Sequence, residues 1–172
     1  MKYDYKTLYE KNAAFYNARP KAKKALLIGN LALTLAFTLA YGALLVYAFV
    51  FPDEFETKAV IRLLFAPMLC VFLVAVLRLA FNRPRPYGEA GATITPLLQK
   101  HGAQDKSFPS RHLACAFVIA GVFLTHFTLI GVGLFAFACA LGYIRFALGV
   151  HYSTDLIGGA FVGLFCCLFL WI

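Results

Sequence analysis

"LACAFVIAGVFLTHFTLIGVGLFAFACALGYI", Leu113–Ile144, decides the fold of this chain. It is apolar from end to end except for "THFT" at Thr125–Thr128. Read as one helix, it would be about 48 Å long, too long for a hydrocarbon core of about 30 Å unless steeply tilted. Two short helices with a turn at His126 fit better. Such a hairpin returns Arg145 to the membrane face on which His112 lies.

The neighbouring segments extend the pattern. Ala25–Phe51 is uncharged and long enough to cross a bilayer. "PDEFETK" follows as a short acidic turn, and a second apolar run covers Ala59–Phe81, with Arg62 near one end and Arg78 near the other. A last span begins at Leu156 and runs to Ile172, where Gly158 and Gly159 permit close helix approach. Together these make five spans, with no internal repeat. The fold class is all-α, a polytopic transmembrane bundle over residues 25–172 in one domain covering 1–172.

Residues 1–24 carry Lys2, Lys6, Lys11, Arg19, Lys21, Lys23 and Lys24, interleaved with Tyr3, Tyr5, Leu8, Tyr9, Phe15 and Tyr16. Such a basic, aromatic-rich segment predicts an interfacial amphipathic helix ending near Pro20. It has no apolar core and no small-residue cleavage pattern, so it does not read as a signal peptide. Residues 82–111, rich in proline and glycine, read as a loop with a short helix around "TPLLQK".

Composition agrees with a membrane protein. Hydrophobic residues make up 62% of the 172 and charged residues 14%, with a mean hydropathy of +0.76. An ordinary soluble domain is about half apolar and a quarter charged. Cys70, Cys115, Cys139, Cys166 and Cys167 all lie in apolar runs without CxxC or histidine spacing, so they read as small hydrophobes, with neither disulfides nor a metal site implied. The net charge of +8 suits anionic lipid headgroups or phosphate ligands, and no nucleic-acid partner is expected.

Three polar clusters fall on one membrane face: "RLAFNRPRP" (Arg78–Pro86), "SFPSRH" (Ser107–His112) and "RFALGVHYSTD" (Arg145–Asp155). Ionisable groups at a membrane edge are costly and therefore point to function. Arginines present planar donors to phosphate. Asp155 follows His151 by one helical turn, so its carboxylate can hold one ring nitrogen and leave the other as a nucleophile. His112 can protonate a leaving alkoxide, and arginines can stabilise phosphoryl transfer without a metal.

Singly, each residue has a plainer reading. Arg62 and Arg83 read as snorkelling to the interface. His126 reads as an interfacial turn residue and His101 as a loop residue. Arg78, Arg85 and Arg145 could be positive-inside anchors. His151 with Asp155, and Ser110, could simply cap helices. Convergence on one face outweighs these readings.

The clusters resemble the motifs of the type 2 phosphatidic acid phosphatase (PAP2) superfamily, which includes vanadium haloperoxidases and bacterial acid phosphatases. Its motifs are a basic residue, six others, then Arg-Pro; Pro-Ser-Gly-His; and Ser-Arg, five residues, His, three residues, Asp. Here they read Arg78 with Arg85-Pro86, then Pro109-Ser110-Arg111-His112, then Arg145, His151 and Asp155. Arginine replaces the usual lysine at 78, Arg111 stands at the glycine position, and Ile144 at the serine position. The resemblance covers roughly the C-terminal two thirds of the chain.

The resemblance implies a metal-free, cofactor-free lipid phosphatase. His151 would attack phosphorus and form a phosphohistidine, Asp155 would orient it, and His112 would protonate the leaving group. Arg78, Arg85, Arg145 and Ser110 would bind the phosphoryl oxygens, with backbone N–H groups near Arg111. Arg111 could also supply a cation for a second phosphate. The implied substrates are lipid phosphomonoesters or diphosphates of the phosphatidate, lysophosphatidate, phosphatidylglycerophosphate or prenyl diphosphate type. Two rivals are a non-hydrolytic protein that binds or moves phospholipid headgroups, and a vanadate-dependent peroxidase, against which the membrane spans argue.

The implied setting is a bacterial cell membrane. Membrane relatives commonly have six spans, and many bacterial ones place the site outside. The seven cations before Ala25 and the acidic first turn instead put the N-terminus, and by span count the site, on the cytoplasmic face.

Overall fold

Pro20 opens the first long helix, where its missing N–H would have had no intrahelical partner anyway. The computed structural model describes residues 5–87, 94–98 and 106–171. Its helices are α1 (Tyr5–Asn17), α2 (Pro20–Val50), α3 (Thr57–Phe81), α4 (Arg111–His126), α5 (Thr128–Ala147) and α6 (Ser153–Cys167), with short 3-10 turns at Pro52–Glu54 and Leu168–Leu170.

The Leu113–Ile144 run is two helices, as its length requires. Phe127 alone separates α4 from α5, with non-helical φ and ψ of −137° and 77°. The turn is tight because Gly131 abuts the main chain of Leu124, where a Cβ would sit 2.5 Å from the backbone.

Helices α2, α3, α5 and the Ser153–Leu170 segment are long and apolar enough to cross a membrane. At 16 residues, α4 is shorter, about 24 Å. It packs against α3, α5 and α6, and it is buried on nearly every side through Leu113, Ala114, Ala116 and residues 118–123. A helix apolar all round belongs in the interior. The surrounding helices turn large apolar side chains outward, with Phe49 at 87% and Leu129 at 89% exposure. The five apolar runs are therefore four full-length candidate spans around one short central helix.

Small residues bring α6 onto α4. A Cβ on Gly159 would lie 2.6 Å from the Ser110 carbonyl oxygen, and one on Gly163 would lie 2.5 Å from that of Ala114. The predicted close approach at Gly158-Gly159 thus fixes the start of α4 against the start of α6. The five cysteines are all free, with Cys70 and Cys166 buried and Cys139 exposed on α5.

The chain order puts α1, the α3–α4 connection and the α5–α6 turn at one end of the bundle. At the other end, the Phe55 ring meets His126 at 5.1 Å. Residues 94–98 are irregular rather than helical. The rest of the expected "TPLLQK" helix, and His101, fall outside the described residues.

Candidate active site

The spacing within Arg145–Asp155 has a local physical origin. Gly149, with φ of 74°, ends α5 in a left-handed residue that glycine adopts without strain. The Gly149 N–H donates to Phe146 O at 2.9 Å, and the Val150 N–H donates to Arg145 O at 3.3 Å. This Schellman-type ending folds the chain back over Arg145. Helix α6 then starts at Ser153, and Asp155 in its first turn accepts from the Tyr152 N–H at 2.9 Å through Oδ2. The same oxygen lies 3.5 Å from His151 Nδ1, an ion-pair distance at the outer limit for a hydrogen bond. Asp155 therefore both caps the helix and faces the imidazole, so the two readings of that residue are one arrangement.

The other clusters are stitched to this turn. Asn82, at φ 41°, reverses the chain after α3, a conformation asparagine tolerates. Arg85 then donates to Val150 O at 3.2 Å, and Arg78 Nε donates to Pro109 O at 3.1 Å. The Ser107 N–H donates to Arg83 O at 2.8 Å, and the Ser110 N–H donates to Asp155 O at 2.9 Å. Arg85, Ser110, Arg145, His151 and Asp155 are all buried. His112 follows in the first turn of α4, half-buried, while Arg111 is exposed and makes no side-chain hydrogen bond or ion pair among the described residues. Arg145 reaches Thr34 Oγ1 of α2 at 3.4 Å.

Arg83 corrects the sequence reading. Instead of snorkelling away, its Nη1 donates to Asp155 Oδ1 at 3.1 Å and to Thr154 Oγ1 at 2.6 Å, and its guanidinium lies 4.1 Å from the centre of the Tyr152 ring. Arg78, Arg83 and Arg85 lie within eight residues, and spacing alone does not say which meets the carboxylate. A buried, lone aspartate needing a cation was the available signal.

Burial pushes the His151 imidazole down to about 4, with the charges of Arg85 and Arg145 adding to the effect and Asp155 opposing it. The ring is neutral at pH 7. Its two nitrogens, the Ser110 hydroxyl and Arg145 Nε are buried without a hydrogen-bond partner among the described residues. Buried polar groups are ordinarily satisfied, so this cluster is shaped for a polar ligand. Cationic donors with a neutral imidazole suit a tetrahedral anion and nucleophilic attack by Nε2. Among the described residues, no group of three or more His, Cys, Asp or Glu could hold a metal ion.

The chain is similar to known proteins. YbjG of Escherichia coli (strain K12), a protein bearing the name undecaprenyl-diphosphatase, is 31% identical over 115 residues, covering 66% of this chain and 56% of that protein. The chain thus spans little more than half the length of that curated relative. The crystal structure of Aquifex aeolicus LpxE superposes with a TM-score of 0.60 at 31% identity, covering 86% of this chain and 93% of that one. The first transmembrane PAP2 type phosphatidylglycerolphosphate phosphatase from Bacillus subtilis shares the fold, with a TM-score of 0.53 at 24% identity, covering 96% and 91%. Residues 59–172 match the PAP2 superfamily, a stretch that contains all three polar clusters, and the chain belongs to that superfamily.

Proposed function

We propose that this chain is an integral-membrane lipid phosphatase that releases phosphate from a lipid phosphomonoester or diphosphate. The observation that carries the proposal is where the polar site meets an apolar groove. A cavity of about 670 Å³ between α3 and α6 is lined by Leu73, Val76, Phe81, Phe108, Ile157 and Phe161. Thr154, which receives the Arg83 hydrogen bond, lies on its rim. A lipid tail in this groove would bring its phosphate to the buried arginines without leaving the apolar phase.

In this reading His151 Nε2 attacks phosphorus, and the bond from phosphorus to the leaving oxygen breaks as His112 gives that oxygen a proton. Water then attacks phosphorus, losing its proton to His112, as the bond from phosphorus to Nε2 breaks, releasing inorganic phosphate and returning His151 to its neutral form. Arg78, Arg85, Arg145 and Ser110 hold the phosphoryl oxygens. Arg83 and Tyr152 N–H hold Asp155, which orients the imidazole. Arg111, exposed at the start of α4, is available to the outer phosphate of a diphosphate.

We further propose that the site faces the cytoplasm. Lys6, Lys11, Arg19, Lys21 and Lys24 are exposed at the site end, whereas the opposite turn carries Asp53, Glu54 and Glu56 against Lys58 and Arg62. That asymmetry follows the positive-inside rule. A reporter fused after Ile172 should be active only outside the cytoplasm, and cytoplasmic activity would reverse the assignment.

Phosphate release by detergent-solubilised protein, measured over phosphatidate, phosphatidylglycerophosphate and a prenyl diphosphate, tests the activity. Wild type should turn over at least one with or without chelator, and His151→Ala should bind lipid without turnover. A wild type that binds these lipids yet releases no phosphate would be a headgroup-binding protein instead.

A further inference from the structure

Helix α1 presents Tyr5, Tyr9, Asn12 and Tyr16 on one side at spacings of four, three and four, the pattern of a single helical face. That face runs along the end of α5 and the turn carrying His151, contact by contact. The Tyr16 and Tyr143 hydroxyls lie 3.3 Å apart, and Asn12 Nδ2 donates to Ala147 O at 2.8 Å. The buried Tyr9 ring occupies the space above Gly149, where a Cβ would lie 2.6 Å from it. Its hydroxyl donates to Thr95 O at 3.1 Å and accepts from the Leu97 N–H at 2.9 Å. At the end of the stripe the Tyr5 hydroxyl donates to His151 O at 3.2 Å, and its ring packs on Tyr152 at 4.8 Å.

We propose that α1 is a clamp that positions the His151 turn, with Tyr5, Tyr9 and Asn12 as positioning residues for the reaction. The proposal rests on His151 being the nucleophile. Asn12 and Tyr5 bond the main-chain carbonyls of Ala147 and His151 and the Tyr9 ring lies over Gly149, so they set where the turn sits without touching the reacting atoms. Ala147 O is an orphan acceptor in the last turn of α5, and Asn12 satisfies it. Arg85 on Val150 O, Leu97 N–H on Leu148 O, Asp155 on the Tyr152 N–H and the helix-ending bonds of Gly149 and Val150 also hold this turn, but none of them reaches the carbonyl of Ala147 or His151. A displacement well under 1 Å at an attacking atom is enough to slow a reaction that depends on alignment. Burial raises the Tyr5 hydroxyl well above the usual tyrosine range, so it stays a donor in alkaline solution.

The test compares Tyr5→Phe, Asn12→Ala and the double variant with wild type, with Lys11→Ala on the exposed side of α1 as the control. The readouts are kcat, KM and melting temperature of the full chain in detergent, on whichever lipid phosphate wild type hydrolyses. Each single variant should lose about fivefold in kcat, the effect of one buried hydrogen bond, and the double variant more, while KM holds, melting temperature falls by only about 2 to 4 °C and the protein stays fully folded at the assay temperature. Lys11→Ala should match wild type. Wild-type kcat in the Tyr5 and Asn12 variants, with His151→Ala inactive, would overturn the clamp and leave the site reading standing. A drop in kcat that only tracks loss of folded protein would also overturn it, reducing α1 to a structural brace. Turnover by His151→Ala would overturn the site reading and the clamp with it.

Discussion

Acidification should reveal the buried state of His151. Its ring is fully buried in the turn between α5 and α6, and burial lowers its pKa from 6.5 to about 4. The unfolded chain takes up that proton near 6.5, so between about pH 6.5 and 4 it binds more protons than the folded chain. Stability from this group is therefore complete above about pH 6.5 and lost as pH falls toward 4. A difference of about 2.5 pH units at about 1.4 kcal/mol each makes the loss about 3 kcal/mol. Ring-labelled histidine, followed by NMR in detergent and assigned by the His151→Gln variant, reads the titration directly. His151 should stay neutral at pH 5.5. Denaturant unfolding at pH 7 and pH 4 should show wild type losing more stability than His151→Gln. A His151 midpoint at or above 6 would refute the argument, since burial would then not outweigh the Asp155 carboxylate.

Arg83→Gln removes one side of the Asp155 cradle. Because Arg83 is 38% exposed, the pair is discounted to about 1 to 2 kcal/mol, so kcat should fall about 5- to 30-fold, with partial recovery in Arg83→Lys. Unchanged kcat would reduce Arg83 to a surface charge. Gly159→Ala forces a Cβ to 2.6 Å from Ser110 O, a main-chain atom, and should cost about 1 to 3 kcal/mol in unfolding experiments while depressing phosphate release. A fully stable, fully active variant would contradict the close α4–α6 contact. Ile157→Trp narrows the apolar groove and should raise KM about tenfold for a long-chain lipid phosphate while leaving a short-chain, water-soluble one nearly unchanged. Equal effects on both would remove the groove from tail binding.

Much of the fold was legible because an apolar chain makes every polar residue conspicuous. The length of Leu113–Ile144 forced a hairpin, and the hairpin forced the three clusters onto one face. His151 and Asp155 were readable from a single helical turn of spacing, whereas the fold of the chain back over Arg145 rests on the left-handed Gly149, which the structure reveals. Three features were less visible. The burial of α4 depends on its small residues Ala114, Ala116, Ala120 and Gly121 meeting neighbours distant in sequence. Arg83 resembles Arg78 and Arg85 in type, and only the reversal at Asn82 selects it for Asp155. The aromatic residues of α1 predict an interfacial helix, and an aromatic stripe suits a membrane surface as well as a protein one. The structure sets Tyr5 and Tyr9 against the His151 turn and Tyr16 against Tyr143 of α5.

The central claim is that His151 takes the phosphoryl group. Rapid quenching of the protein during turnover of a lipid labelled in its phosphate, followed by mapping of the acid-labile adduct, tests it most directly. The account predicts a phosphohistidine at position 151 that forms and decays within the turnover time and is missing from His151→Ala. Steady phosphate release without that adduct, or with the label on another residue, would contradict it.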